Sequence, residues 1–469
     1  MTPLLSILCA LLATSTEAVG INSKSPVVLW YAPFLSGGGY CSEAHSYVVA
    51  LDTVTTGTMD SGLNIDSQVE RKDREDSVLS ERAFELLITQ HGDSLNPSFI
   101  RDIPNDMKTK LEQHWIDEKD FSWRLQDRKV VLAICHSEPG AWDPAHYRTS
   151  RCPPHEALYK VGRTMFETDR VPRGWSERMN KMDEIWVPTK FQEKIFIHGG
   201  VRPEAVKVVP EVVDVAFFNP QVVEQKYHLQ SQVTFDMTDQ TTVYLSIFKW
   251  EERKAWKVLL TAYFEAFSAK DDVVLVLLTN GYHSTSSTAT DFMDVIENFA
   301  LQTLNKPLHE LPHVHVLPPH IPQKSMPALY KAANAFVLPS RGEGWGRPHV
   351  EAMAMELPVI ATFWSGTTEY MTEENSYPLA IDGLVKITEG AFQGHLWANP
   401  SVKHLKELLM RVKEYPEEAI AKGKQARKDM VSNYSPEIVG GIVYRHIMRI
   451  MENVSAQEGA TATDAHEEL

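Results

Sequence analysis

The chain has 469 residues, 43% hydrophobic and 23% charged, a composition that excludes disordered and fibrous classes. One hydrophobic core stops growing at about 250–300 residues, so this length predicts about two domains. Lys and Arg number 46 against 62 Asp and Glu, a net charge of −16, which excludes generic nucleic-acid binding and requires any anionic ligand to meet a local basic cluster.

Residues 1–20 carry an apolar run from Leu4 to Ala13 followed by small residues, with Ala18-Val19-Gly20 at the end. This reads as a secretory signal peptide lacking a basic start. An anchor is the alternative, but the apolar run is short of the roughly 20 residues that span a bilayer, and no later segment is long and apolar enough to do so. Val27–Tyr31 then reads as a buried strand running into Ser36-Gly37-Gly38-Gly39-Tyr40 and a helical stretch from Ser42 to Leu51. Strand, glycine loop and helix make a phosphate-type turn. Residues 52–128 are less orderly, and the charged run Glu70–Asp76 predicts a solvated loop or an insertion. Val130–Cys135 is the next buried strand, ending in His136-Ser137-Glu138-Pro139-Gly140, at the strand edge where open α/β sheets place ligands. Glu184–Val187 and Val206–Val209 follow as short strands with a helix between them.

Residues 219–240 are polar and weakly periodic, and are read as the linker between a first domain, 21–218, and a second, 241–435. The second set comprises strands Val243–Phe248, Val273–Leu278, Val314–Leu317, Ala335–Leu338 and Val359–Ala361, with a helix over Lys254–Phe267. Alternation of this kind predicts two doubly wound domains with parallel sheets facing a cleft. A helix over 436–452 follows, placed to return to the first domain, and then a polar tail, 453–469. The tail ends His466-Glu467-Glu468-Leu469, one Asp-to-Glu change from the HDEL retrieval signal. With the leader, it predicts residence in the endoplasmic reticulum lumen and a retrieval receptor as partner. Removing the leader leaves Cys41, Cys135 and Cys152, whose pairing is open. Asn433-Tyr434-Ser435 and Asn453-Val454-Ser455 are glycosylation sequons.

The densest constellation follows the strand Ala335–Leu338: Ser340-Arg341-Gly342-Glu343-Gly344-Trp345-Gly346-Arg347-Pro348-His349-Val350-Glu351. Pro348 suits the first turn of a helix starting near Arg347, whose amides and dipole offer an anion site. Glu343 on the glycine loop and Glu351 one turn inside the helix flank it, placed to accept hydroxyls of a sugar and of a ribose. The second element is Lys249-Trp250-Glu251-Glu252-Arg253-Lys254, a basic cluster between strand and helix.

Glu343 and Glu351, with Leu357–Thr362 and Ser365–Glu369 behind them, resemble the E-x7-E motif and continuation of the family 4 retaining glycosyltransferases. The resemblance covers most of the second domain and, more thinly, the glycine loop, the His136 turn, Arg163–Asp169 and Asp183–Pro188. It implies a GT-B fold and transfer of a sugar from a nucleoside diphosphate donor, UDP ahead of GDP, to a glycan, glycoprotein or lipid acceptor, with no cofactor. It implies donor-binding roles for Gly38, Gly39, Lys249, Arg253, Gly344, Gly346, Arg347 and Glu351, and catalytic roles for Glu343, Lys254 and His136, the histidine contacting the donor sugar. Two departures stand out: Lys249 where arginine is usual, and Val212 where glycine is usual. For His136 a hydrogen-bonded core histidine is the other reading. No Asp-x-Asp triplet occurs, so no metal is expected. A non-catalytic sugar-binding protein on the same scaffold is the rival function; a glycoside phosphorylase or a synthase would differ only in its acceptor.

Overall fold

In a computed structural model of the chain the described residues are 25–55, 83–126, 128–231, 233, 235–281, 288–319 and 321–467, from 460 onward by backbone alone. The expected leader, the charged run Glu70–Asp76 and the last two residues of the terminal tetrapeptide lie outside them.

The apolar runs without polar alternation become strands buried on both faces, as parallel sheets covered by helices require. The first sheet has strands β1 (Val27–Ala32), β2 (Glu85–Gln90), β3 (Val130–His136), β4 (Tyr159–Arg163), β5 (Glu184–Val187) and β6 (Val206–Val208), in the order β2-β1-β3-β4-β5-β6. Every position of β1 and β3 is buried. The second sheet has β7 (Thr242–Trp250), β8 (Val273–Gly281), β9 (His313–Val316), β10 (Ala335–Leu338), β11 (Val359–Thr362) and β12 (Tyr377–Leu379), in the order β12-β11-β10-β7-β8-β9. Its described pairings are all parallel. An antiparallel pair, β13 (Ile381–Lys386) and β14 (Leu396–Pro400), stands outside both sheets.

Strand order reverses direction at β1/β3 in the first sheet and at β7/β10 in the second. Helices leave on opposite faces at such a point, opening a crevice at the carboxyl ends of the two strands. The glycine loop and the His136 turn follow β1 and β3; the basic cluster and the Glu343 loop follow β7 and β10. Every candidate segment therefore sits at a switch point.

The chain forms two compact units. The first takes the described residues of 1–164, 177–186 and those from 440 onward; the second takes 165–176 and 187–439. The helices that bear on the site are α1 (Gly39–Thr55), α2 (Trp256–Ala266), α3 (Arg347–Ala354) and α4 (Pro436–Glu467). From Gly440 onward α4 packs on the first unit. A Cβ at Gly440 would stand 2.5 Å from the carbonyl oxygen of Ala50 in α1, Arg449 donates to Glu184 at 2.6 Å, and His446 lies 5.5 Å from Trp186 between ring centroids. The helix runs to Glu467 instead of giving way to a polar tail after residue 452, because Glu, Gln and Ala recur there and favour helix. Among the described residues no helix is long and apolar enough to cross a membrane.

Candidate functional site

In the second unit the loops after β7 and β10 are laced together. Arg341 N–H donates to the Arg253 carbonyl at 2.7 Å, and Ser340 Oγ donates to the same carbonyl at 3.3 Å. This brings Glu343 against both cations of the basic cluster: Lys254 Nζ is 2.6 Å from Oε1 and Arg253 Nη1 is 3.2 Å from Oε2. Burial opposes the charge on Glu343, but Lys254 and then Arg253 overcome it and hold the carboxyl well below its ordinary value. Glu343 is thus a buried, ionised carboxylate at the switch point.

The glycines around it answer close approaches. A Cβ at Gly342 would lie 2.4 Å from the Glu167 carbonyl oxygen, one at Gly344 2.4 Å from Met165 Sδ, and one at Gly366 2.3 Å from the Gly344 carbonyl oxygen. Gly346 has φ +102° and caps α3, a left-handed conformation open to glycine at little cost. Pro348 lies in the first turn of α3, as expected. Pro348 has no amide hydrogen and the His349 amide donates to the Gly346 carbonyl at 3.0 Å, so the anion site expected at this terminus has fewer amides than an uncapped helix. Glu351 accepts from Tyr330 Oη at 2.9 Å and has Arg347 Nε at 3.9 Å. Burial raises its carboxyl, against the lowering effects of Arg347 and Tyr330. Arg347 also pairs with Glu211 at 3.5 Å.

Arg253 is more heavily engaged than a diphosphate clamp would be. Its Nη1 donates to the Gly342 carbonyl at 2.8 Å as well as to Glu343, its Nη2 donates to Glu251 at 2.8 Å, and its Nε pairs with Glu167 at 3.3 Å. Lys249 near the end of β7 is exposed, and no ion pair joins it to Glu343 among the described contacts. The structure therefore gathers Glu343, Lys254 and Arg253, sets Arg347 and Glu351 on the following helix, and leaves Lys249 on the solvent side. Glu167 and Glu251 are the members of this cluster that sequence reasoning missed. Glu251 was visible inside the basic motif, whereas Glu167 is far off in the chain and only its familial-looking surroundings, Arg163–Asp169, pointed to it.

In the first unit Gly38 and Gly39 open the turn into α1. A Cβ at Gly39 would meet nothing within 4 Å, and one at Gly38 only ordinary contacts at 3.6 Å. Neither glycine has a positive φ. Packing and backbone strain therefore do not demand glycine at these two positions, unlike Gly37, whose φ is +75° and whose Cβ would stand 2.9 Å from the Phe99 ring.

His136 is fully buried and both ring nitrogens are occupied. The Trp30 indole, which only donates, gives its hydrogen to Nδ1 at 3.2 Å. The ring proton is therefore on Nε2, which donates to Glu43 at 2.9 Å. Glu43, from α1, also accepts from Arg163 Nε at 2.7 Å. Burial resists this charge, yet Arg163 and His136 keep the Glu43 carboxyl at about 2. The His136 nitrogens thus tie the end of β3 to β1 and α1, the hydrogen-bonded core arrangement that is the other reading of this histidine, and Arg163 ties the end of β4 to the same Glu43. Cys152 is bridged to Cys135 beside this turn, and Cys41 is free and buried. Among the described residues no group of three or more His, Cys, Asp or Glu is arranged to hold a metal ion.

Comparison with solved structures establishes the fold class. A glycosyltransferase from Rickettsia africae superposes with a TM-score of 0.60 at 13% identity, covering 92% of this chain and 99% of that one. Anabaena HepE, in complex with UDP and glucose, gives 0.58 at 14% identity, covering 90% and 100%. The two parallel six-stranded sheets are those of the GT-B fold, as expected from the sequence. Within it, residues 239–387 match the family model described as glycosyl transferases group 1. Among curated proteins, the D-inositol 3-phosphate glycosyltransferase of Corynebacterium kroppenstedtii is 25% identical over 208 residues, 44% of this chain and 43% of that protein. A lipopolysaccharide core biosynthesis mannosyltransferase of Rhizobium meliloti is 37% identical over 70 residues, 14% and 20% of the respective chains. The match thus spans less than half the length of either relative.

Proposed function

We propose that the protein is a retaining glycosyltransferase of the family 4 type, moving a sugar from a nucleoside diphosphate donor to a hydroxyl acceptor on a glycan, glycoprotein or lipid in the endoplasmic reticulum lumen. The observation that carries this reading is Glu343: a buried carboxylate kept ionised by Lys254 and Arg253 at the carboxyl edge of β10, ahead of the amino end of α3. Uncompensated burial would neutralise such a group, so its charge belongs to a built electrostatic site. Charge placed in a low-dielectric site before reaction stabilises charge that develops during it.

In this reading the diphosphate departs towards Lys254, Lys249 and the positive end of the α3 dipole, while the acceptor hydroxyl attacks from the same face. A phosphate oxygen of the leaving group takes the acceptor's proton, so no strong base is needed. Glu343 orients the sugar hydroxyls and steadies positive charge at the anomeric carbon, and Glu351 accepts ribose hydroxyls. UDP stands ahead of GDP, being the nucleotide held by the Anabaena protein of the same fold. The luminal address rests on the leader, the terminal tetrapeptide and the Cys135–Cys152 bridge, since disulfides persist in oxidising compartments.

The test is donor hydrolysis by the purified protein, without acceptor, against UDP-glucose, UDP-N-acetylglucosamine and GDP-mannose. Glu343→Gln should lower kcat by roughly 10²-fold, the effect of losing one aimed electrostatic contact, whereas Glu351→Gln should chiefly raise the donor KM. Both variants behaving as wild type would sink the assignment.

A further inference from the structure

The donor-site reading, on which this inference rests, assigns the diphosphate to cations, yet the Arg253 guanidinium already faces one backbone carbonyl and three carboxylates. A bidentate grip on phosphate takes two adjacent N–H groups of the guanidinium. Gly342, Glu343 and Glu251 accept from three of the five, and a fourth, on Nε, faces Glu167 in an ion pair at 3.3 Å. Charge argues the same way. Arg253 and Lys254 are two cations facing three carboxylates, Glu167, Glu251 and Glu343, so the cluster has no surplus positive charge to offer an anion.

Glu167 is held there by its own backbone. Its carbonyl oxygen accepts from Ser365 Oγ at 3.1 Å and would stand 2.4 Å from a Cβ at Gly342. The flanking residues dock on the same unit: Phe166 lies 4.8 Å from Phe392 between ring centroids, Thr168 Oγ1 is 2.8 Å from His395 Nδ1, and Asp169 and Leu396 exchange hydrogen bonds of 3.0 and 2.6 Å. A segment reached from the end of β4 thus delivers one carboxylate to the guanidinium that touches Glu343.

We propose that Arg253 and Glu167 are positioning residues of the donor site: Arg253 aligns the Glu343 carboxylate, Glu167 steadies Arg253, and neither grips the diphosphate. Titration gives the readout that a merely structural role would not move. Glu343 is faced by Lys254 and Arg253 from the loop after β7 and by His349 from α3, and Arg253 in turn by Glu251 and Glu167. Loss of the Arg253 charge lets Glu343 take up a proton at higher pH, so the acid limb of the kcat profile moves upward.

The experiment pairs calorimetric titration with UDP and donor hydrolysis across pH for wild type, Arg253→Gln, Arg253→Lys, Glu167→Gln and Lys254→Gln. Expected are UDP Kd values within about threefold of wild type for Arg253→Gln and Glu167→Gln, with kcat lowered by about tenfold or more in both. The acid limb should shift upward in Arg253→Gln and be restored in Arg253→Lys, and Lys254→Gln should weaken UDP. A loss of UDP affinity of about tenfold or more in Arg253→Gln with kcat preserved makes Arg253 a clamp and overturns the proposal. Tightening of that size in Glu167→Gln makes Glu167 a screen against phosphate and overturns it too. Glu167 is part-exposed, so its variant decides the matter if Arg253→Gln does not fold. A wild-type protein that binds no nucleoside diphosphate overturns the donor-site reading itself and takes this inference with it.

Discussion

The buried trio Glu43, His136 and Arg163 is costly to assemble and costly to break. All three side chains are 0% exposed, so the Glu43 and Arg163 charges are compensated by protein and not by water. Removing one partner of a buried ion pair typically destabilises by about 3–5 kcal/mol, because the other charge stays buried. Glu43→Gln should do this, read as a lowered denaturation midpoint. The pH dependence follows from the folded carboxyl lying near 2 against an ordinary value of 4.5. In that window the unfolded chain binds the extra proton, so the stability due to Glu43 is complete above 4.5 and drains away as pH falls towards 2. Wild type should lose stability through this window and Glu43→Gln should lose less, whereas parallel curves for the two would refute the assignment. The histidine shows where sequence reading reached its limit. The strand end and turn were legible, but whether an imidazole faces a ligand or a core depends on Trp30 and Glu43, which lie about a hundred residues away.

Elements divided by how plainly their residues announce them. The apolar runs of β1, β3, β8, β10 and β11 were legible because both faces are buried. β2 was missed because it emerges from a polar, highly charged interval, and β4 because Tyr159-Lys160-Val161-Gly162-Arg163 reads as loop. Only tertiary context explains the latter: a Cβ at Gly162 would stand 2.3 Å from the Trp142 ring, and Arg163 is neutralised by Glu43. The glycine-rich segments read alike in sequence but differ in the fold. Gly342→Ala should lower the melting temperature by several degrees, since its new methyl meets the Glu167 backbone, which cannot swing aside. Gly39→Ala, at the open start of α1, should leave melting unchanged or slightly raised, because alanine suits a helix better, and should raise the donor KM if the loop admits a ligand. Equal effects of both on melting would show that the two loops serve packing alike.

For the molecule as a whole, the fold class followed from alternation. The division of the chain into two compact units did not: residues 165–176 and 187–218, read with the first domain, group with the second unit, and nothing local marks either crossing. The proposed luminal residence is tested by deleting His466–Leu469: the protein should appear in the medium, and unchanged retention would remove the tetrapeptide from the case. The return of α4 has a further consequence, for the order of synthesis. Strands β1 to β5 leave the ribosome first, but the helix that covers Ala50, Glu184 and Trp186 is made only after the entire second unit. The nascent first sheet waits, its apolar flank uncovered, through some 250 residues of further translation at about 5–20 residues per second. The unit begun first is therefore completed last.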